Sequence, residues 1–206
     1  MPNTISLKNI SFKSNNKIIL NKISLTISTN KITVITGHNG AGKTSLLKIM
    51  GNIIVPTHGS VTYGDITDLN KTAFSFQEPV FLNRTVASNL EHALICYNGY
   101  YTQKYKSLIQ GILSEFNIMR LSNMIASKLS TGEKKIISYI RCIILNPKIL
   151  FLDEPYAHLD QKYVDLISNH IKSISDKINI FMVTHSNNNL DDLPCNVIKM
   201  QQGNVE

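Results

Sequence analysis

The stretch "ITVITGHNGAGKTSLLKIM", residues 32–50, constrains the chain more tightly than any other. Residues 32–36 are apolar or β-branched and read as a strand buried on both faces. "GHNGAGKTS", residues 37–45, fits G-x-x-x-x-G-K-[ST], and "KTSLLKIM" carries helical spacing. A buried strand, a glycine-rich loop and a helix in that order make a phosphate cradle. Gly37, Gly40 and Gly42 let backbone N–H groups turn inward around phosphate oxygens, where a β-carbon obstructs the approach. The helix start adds partial positive charge. Lys43 is placed to reach β- and γ-phosphates, and the Thr44 hydroxyl to ligate Mg²⁺. His38, Asn39, Ala41 and Ser45 complete the loop and belong to the same nucleotide-binding set.

The rest of the chain supplies a fold around that loop. "ISLKNISF" and "KIILNKISLTIS" alternate apolar and polar residues across the turn-rich "KSNN", which predicts an antiparallel pair with one buried face. "GSVTYG" and "KTAFSFQ" read as short strands. After Gln77 the pattern becomes helical through "VASNLEHAL", "YKSLIQGILSEFNI" and "IASKL", with a break at "YNGYYT"; this is a candidate inserted helical subdomain. A helix ("KKIISYIRCIIL"), a strand ("KILFLD"), a helix ("KYVDLISNHIKSI") and a strand ("NIFMVTH") follow. Strands alternating with helices predict an α/β fold with a parallel sheet covered on both faces. At 206 residues the whole fits one domain.

Composition narrows the function classes. No apolar run reaches the ~18–20 residues that span a bilayer. "MPNTISLKN" lacks the basic and apolar regions of a secretory signal. Three scattered cysteines, Cys96, Cys142 and Cys195, read as reduced thiols, not as a disulfide framework or zinc site. The net charge is +7, but the excess is nearly all Lys and is spread along the chain. Charge alone therefore predicts a solvated surface, and no nucleic-acid partner is expected.

"KILFLDEP", residues 148–155, supplies the chemistry that a phosphate loop needs. Asp153 ends a buried strand, where ligands bind in open α/β sheets, and can hold Mg²⁺ through water. Glu154 is the candidate to orient or deprotonate an attacking water. Together with the loop, the pair predicts hydrolysis of a nucleoside triphosphate. His185, closing "NIFMVTH" on the same rim, is a candidate contact to the γ-phosphate. Gln77, at the junction with the helical insertion, can touch Mg²⁺ or water and report motion of the inserted helices. "LSTGEKKII", residues 129–137, has two readings. Ser130 with the N–H groups of Thr131 and Gly132 forms a second anion site at a helix N-terminus, or the stretch is a capped helix start with Glu133 in its first turn.

In order and approximate spacing, "GHNGAGKT", Gln77, "LSTGEKK", "ILFLDEP", "AHLD" and "MVTH" resemble an ABC transporter ATP-binding subunit over essentially the whole chain. The resemblance implies a P-loop NTPase core of the RecA type with an N-terminal antiparallel β subdomain. Residues 1–77 and 136–206 would form these, and residues 78–135 an inserted α-helical subdomain. It implies ATP and Mg²⁺ as cofactors, with Thr44, Gln77 and Asp153 around the metal and Glu154 and His185 as catalytic residues. Two such subunits, identical or paired, would sandwich two ATP molecules head-to-tail, each held by one chain's phosphate loop and the other's "LSTG" helix. Asp160 matches the interface Asp of the family, and Gln77 with the following helices matches the surface that receives an integral membrane permease. The implied location is peripheral, on the cytoplasmic face of the inner membrane.

The departures are specific. "LSTGE" replaces "LSGGQ", so the Thr131 side chain approaches the γ-phosphate. Ile136 replaces an Arg, which predicts a lost surface contact, and "YAHLD" places His158 near the interface. The aromatic that stacks on adenine should fall near Ser14, with Phe12 two residues away. "FQEPVFLNRTVASNLEHAL" resembles importers of small oxyanions such as tungstate, which also use a periplasmic substrate-binding protein. Haem or lipid exporters, soluble ABC ATPases acting on nucleic acid, and small-molecule P-loop kinases are the alternatives. A kinase has no use for "LSTGEKK", and the soluble class usually carries coiled coils or a second ATPase half.

Overall fold

The computed structural model describes residues 4–28, 32–64, 71–184 and 195–206. Two sheets organise them. β1 (Thr4–Ser14) and β2 (Lys17–Ser28) pair antiparallel, and β4 (His58–Thr62) joins the free edge of β1. The larger sheet contains β3 (Ile32–Gly37), β5 (Thr72–Ser75), β6 (Ile149–Asp153), β7 (Asn179–Val183), β8 (Cys195–Gln201) and β9 (Asn204–Val205). Its order is β5-β6-β7-β3-β8-β9, parallel except for β9. The helices are α1 (Lys43–Met50), α2 (Val86–Asn98), α3 (Lys104–Glu115), α4 (Thr131–Ile143) and α5 (Gln161–Ile174).

The pattern rules behind the sequence expectations hold here for a visible reason. β6 is buried at every residue because α1 covers one face and α4 the other. Phe151 stacks on Phe181 at 5.3 Å and on Phe74 at 5.9 Å between ring centroids. α2 begins on a Thr85 side chain that accepts from the Ser88 N–H, and ends at Gly99 in the left-handed region. The helix thus ends within the predicted break "YNGYYT". No helix among the described residues is long and apolar enough to cross a membrane.

Three details differ from the sequence expectations. β8 and β9 were not foreseen. β8 alternates, with Ile198 and Met200 buried and Val197 51% exposed, but the run is short and broken by polar residues. α4 passes through the division drawn between residues 135 and 136 as one continuous helix. Ile136 is fully buried in the core, so the isoleucine at this position adds apolar packing where a surface position was expected.

Burial also separates the thiols. Cys142 is fully enclosed and its thiol is pushed up to about 12, whereas Cys96 is exposed. At pH 8 the native chain should lose Cys96 to iodoacetamide while Cys142 stays unmodified until denaturant is added, as read by peptide mass.

Candidate functional site

The loop between β3 and α1 is shaped by neighbours as much as by any ligand. Gly37 has φ 145°, and a β-carbon there would lie 2.1 Å from the Met200 carbonyl oxygen on β8. A β-carbon on Gly42 would meet the Leu20 side chain at 2.7 Å and the Ile19 carbonyl at 2.9 Å. Both glycines therefore allow strands to approach the loop, a requirement separate from the phosphate approach that their spacing suggests. Only at Gly40, φ 79°, would the added atom enter open space, and that residue lines the cleft. Gly37→Ala should cost roughly 2–4 kcal/mol of stability, measurable by urea melting without nucleotide, since the overlap is with backbone.

Lys43 starts α1, and only 5% of it is exposed. Its ammonium donates to the Gly37 and His38 carbonyls, both at 2.9 Å. Burial lowers its pKa, and the nearby Glu154 and Asp153 carboxylates oppose that shift. The ammonium is thus held over the mouth of the loop by carbonyls that a more negative group can replace. Ala41 is buried in the core below; its N–H donates to the His38 carbonyl. Asn39, Thr44 and Ser45 line the same cleft, about 290 Å³ in volume, together with Gln77 and Glu154.

The Thr44 hydroxyl donates to Asp153 Oδ1 at 2.9 Å. Asp153 is 1% exposed, and its Oδ2 has no hydrogen-bond partner among the described residues. Burial raises the carboxyl's pKa, countered first by the Thr44 hydrogen bond and then by Lys48, Lys135 and Lys43. A buried carboxylate oxygen beside a hydroxyl is a hard-oxygen donor pair suited to Mg²⁺. No group of three or more His, Cys, Asp or Glu that could hold a metal occurs among the described residues. Such a site suits an ion that keeps waters and phosphate oxygens in its shell.

Glu154 is nearly buried, with φ 52°, and its N–H donates to the Val183 carbonyl. Strand β6 has ended there, so the chain turns and presents the side chain to the cleft that Lys43 and Thr44 line. Beneath it lies a residue that sequence reasoning missed. Lys135, on α4, is 3% exposed and donates to the Glu154 carbonyl at 3.0 Å and the Asp153 carbonyl at 3.5 Å. It clamps the turn that carries both carboxylates. A lysine in "GEKK" reads as solvated; nothing in one sequence shows that α4 runs under β6.

Gln77 is exposed and, like Thr44, lines both this cleft and a neighbouring one of about 460 Å³. Arg141 lines the second cleft, donates to the Val80 carbonyl at 2.8 Å and sits over the Phe81 ring at 4.6 Å. It ties the segment after Gln77 to α4 and was also not foreseen. Ser14 is exposed at the β1–β2 turn, and Phe12 packs against the core. Neither lines the cleft; Lys17 and Ile19 of β2 do. His185 lies outside the described residues.

Ser130, Thr131 and Gly132 are not among the residues lining either cleft. Ser130 caps α4 in a capping box: its hydroxyl accepts from the Glu133 N–H at 3.2 Å, and Glu133 accepts from the Ser130 N–H at 3.0 Å. Glu133 also pairs with Arg120 at 2.8 Å. The hydrogen bond from Ser130's N–H, more than Arg120, holds the Glu133 carboxyl below its ordinary range. The capped-start reading is therefore realised, and it coexists with the first N–H groups of α4, which have no partner four residues back. A β-carbon on Gly132 would lie 3.1 Å from the carbonyl of His158, a residue with φ 64° in "YAHLD". The start of α4 is thus braced by the loop before α5.

A family model described as ABC transporter matches residues 20–157. The chain belongs to the ABC transporter family. Within it the chain is an ATP-hydrolysing cassette with the P-loop NTPase fold. It is 31% identical over 206 residues to the tungstate uptake system ATP-binding protein TupC of Peptoclostridium acidaminophilum, covering 98% of this chain and 96% of that one. It is 32% identical over 186 residues to the zinc import ATP-binding protein ZnuC of Hydrogenovibrio crunogenus, covering 88% and 72%. Among solved structures, the ATP-binding cassette MJ0796 in a dimeric post-hydrolysis state with ADP and Pi superposes with a TM-score of 0.87. That match has 26% identity and covers 98% and 96% of the two chains. The cassette's phosphate loop, Asp153 turn and α4 thus occur in a fold that is known to accommodate nucleotide.

Proposed function

We propose that this cassette binds Mg-ATP between two ATPase subunits, identical or paired, and that hydrolysis drives an integral membrane permease. One observation carries the reading. Lys43, Thr44, Asp153 and Glu154 converge, while Ser130–Gly132, a capped helix start whose first-turn N–H groups at Thr131 and Gly132 have no partner four residues back, lines neither cleft of its own chain. A second subunit that brings its α4 start over the first one's phosphate loop completes the site. The dimeric state of MJ0796 supports this arrangement. In it, Gly40, Lys43 and Ser45 would hold phosphates, Thr44, Asp153 and Gln77 would hold Mg²⁺, Glu154 would take a proton from water, and His185 is the proposed contact to the γ-phosphate. Mg²⁺ supplies charge neutralisation at the phosphates when bound.

Residues 78–135 act as the helical subdomain, and Gln77 with the Arg141-held segment forms the surface toward the permease at the cytoplasmic face of the inner membrane. The cargo is a small oxyanion such as tungstate, delivered by a periplasmic substrate-binding protein. TupC, whose name gives tungstate uptake, supports the oxyanion because the match spans nearly its full length. ZnuC, whose name gives zinc, supports import without the oxyanion.

Mixed dimers test the shared site. Lys43→Ala and Ser130→Glu should each be inactive alone. Mixed, they leave one composite site with an intact loop and an intact α4 start, so turnover should return to a measurable fraction of the parent rate. A mixture as inactive as its components would show that Ser130 does not serve the partner's nucleotide.

A further inference from the structure

The ends of β5, β6 and β7 opposite the nucleotide cleft border a second concavity that shares no residue with it. Lys71, Lys148 and Lys177 stand just before these strands, and α3 contributes Lys104 from across the gap. The groove measures about 710 Å³, and none of the described residues lining it is Asp or Glu. One wall is aromatic. Buried Tyr105 donates its hydroxyl to the Tyr100 carbonyl at 3.1 Å and stacks against the Tyr100 ring at 6.5 Å. Tyr100 remains 62% exposed and Leu108 45% exposed.

A narrower slot of about 140 Å³ opens beside the groove and shares Asn146, Pro147, Lys177 and Ile178 with it. Ile112, Ile143 and Ile174 close it. His170 also borders the slot, where a ring nitrogen meets the Tyr139 hydroxyl at 2.7 Å. Glu115 faces the other ring nitrogen at 3.9 Å. Apart from Asn146, His170 and Lys177, the slot is walled by isoleucine and proline. A cavity of about 150 Å³ accepts a benzene-sized group, and four ammonium groups around a concave mouth concentrate anions there.

We propose that this groove binds a small anionic amphiphile. A ring-sized apolar group enters the isoleucine slot, and a phosphate, sulfonate or carboxylate rests on Lys104, Lys148 and Lys177. The two halves act together: the slot is mainly apolar, with Asn146, His170 and Lys177 as its polar lining, and Lys104 and Lys148 add positive charge only in the groove. Because α3 forms one wall and the strand starts the other, a bound molecule bridges the inserted helices and the sheet.

Fluorescence titration of the full chain with 1-anilinonaphthalene-8-sulfonate tests this. Enhancement should saturate at one dye per chain. Phenyl phosphate should displace the dye, and inorganic phosphate at the same concentration should not. The Lys104→Glu/Lys148→Glu double variant changes two exposed side chains; with an unchanged melting curve, it should bind dye at least ten-fold more weakly. Lys43→Ala should bind as the parent does. Equal dye affinity in the charge-reversed variant would overturn the proposal. So would loss of binding in Lys43→Ala, which places the dye at the phosphate loop, or displacement by polyglutamate but not by phenyl phosphate.

Discussion

Glu154→Gln should lower ATP turnover by about 10²–10⁴-fold while leaving ATP bound, the range expected when a positioned general base is removed. Gln has the same shape and keeps the backbone bond to Val183 and the bond from Lys135, both of which involve main-chain atoms of residue 154. The left-handed backbone at this position is equally available to Gln, at the modest cost any non-glycine side chain carries there. What disappears is the carboxylate at the cleft wall, 7% exposed and beside Lys43 and Thr44. With the cleaving step removed and binding intact, the ATP-loaded dimer should accumulate and elute at twice the monomer mass in Mg-ATP. Turnover within ten-fold of the parent would remove Glu154 from proton transfer. A monomer in saturating Mg-ATP would remove the sandwich.

Lys43→Ala should weaken ATP binding at least about 100-fold, because hydrogen bonds to charged groups contribute about 1.5–3 kcal/mol each. Calorimetric titration reads this directly. The same variant should fold normally without nucleotide, since the ammonium is a desolvated cation whose hydrogen bonds among the described residues go to the Gly37 and His38 carbonyls. The pH dependence has a definite sign. Burial sets the folded pKa of Lys43 below 10.5, so the unfolded chain holds more protons between the two values. This residue therefore makes the nucleotide-free chain more stable as pH rises from the folded value toward 10.5, and its destabilisation is fully present and constant below the folded value. Lys43→Ala should flatten that slope in denaturant melts taken at alkaline pH. An unchanged slope would assign it to Lys135, which burial shifts in the same direction.

Legibility divides by range. The phosphate loop could be read because its strand, glycines, Lys43 and helix are contiguous, and each local signal agrees with the next. The β1–β2 hairpin and the buried strand β6 were legible for the same reason. The adenine-stacking aromatic was sought near Ser14 by spacing, yet the cleft borrows Lys17 and Ile19 from the next strand. Register across a hairpin decides which residues reach a neighbouring loop, and spacing along the chain does not. Lys135 and Arg141 carried no signal, since basic residues on an amphipathic helix read as solvated until the helix has a place.

From its residues alone, this chain determined a strand–loop–helix of the phosphate-loop pattern, a carboxylate pair at a strand end, and a capped helix start. Each follows from backbone geometry and side-chain chemistry within one contiguous stretch of sequence. Tertiary structure alone decided that Thr44 and Asp153, 109 residues apart, share a hydrogen bond, and that Lys135 holds the turn beneath Glu154. It also decided that Gly37 must leave room for Met200. Those contacts depend on which strands lie side by side, and strand order is set by burial of the whole sheet between its two helical and β layers, a property no short stretch of sequence contains.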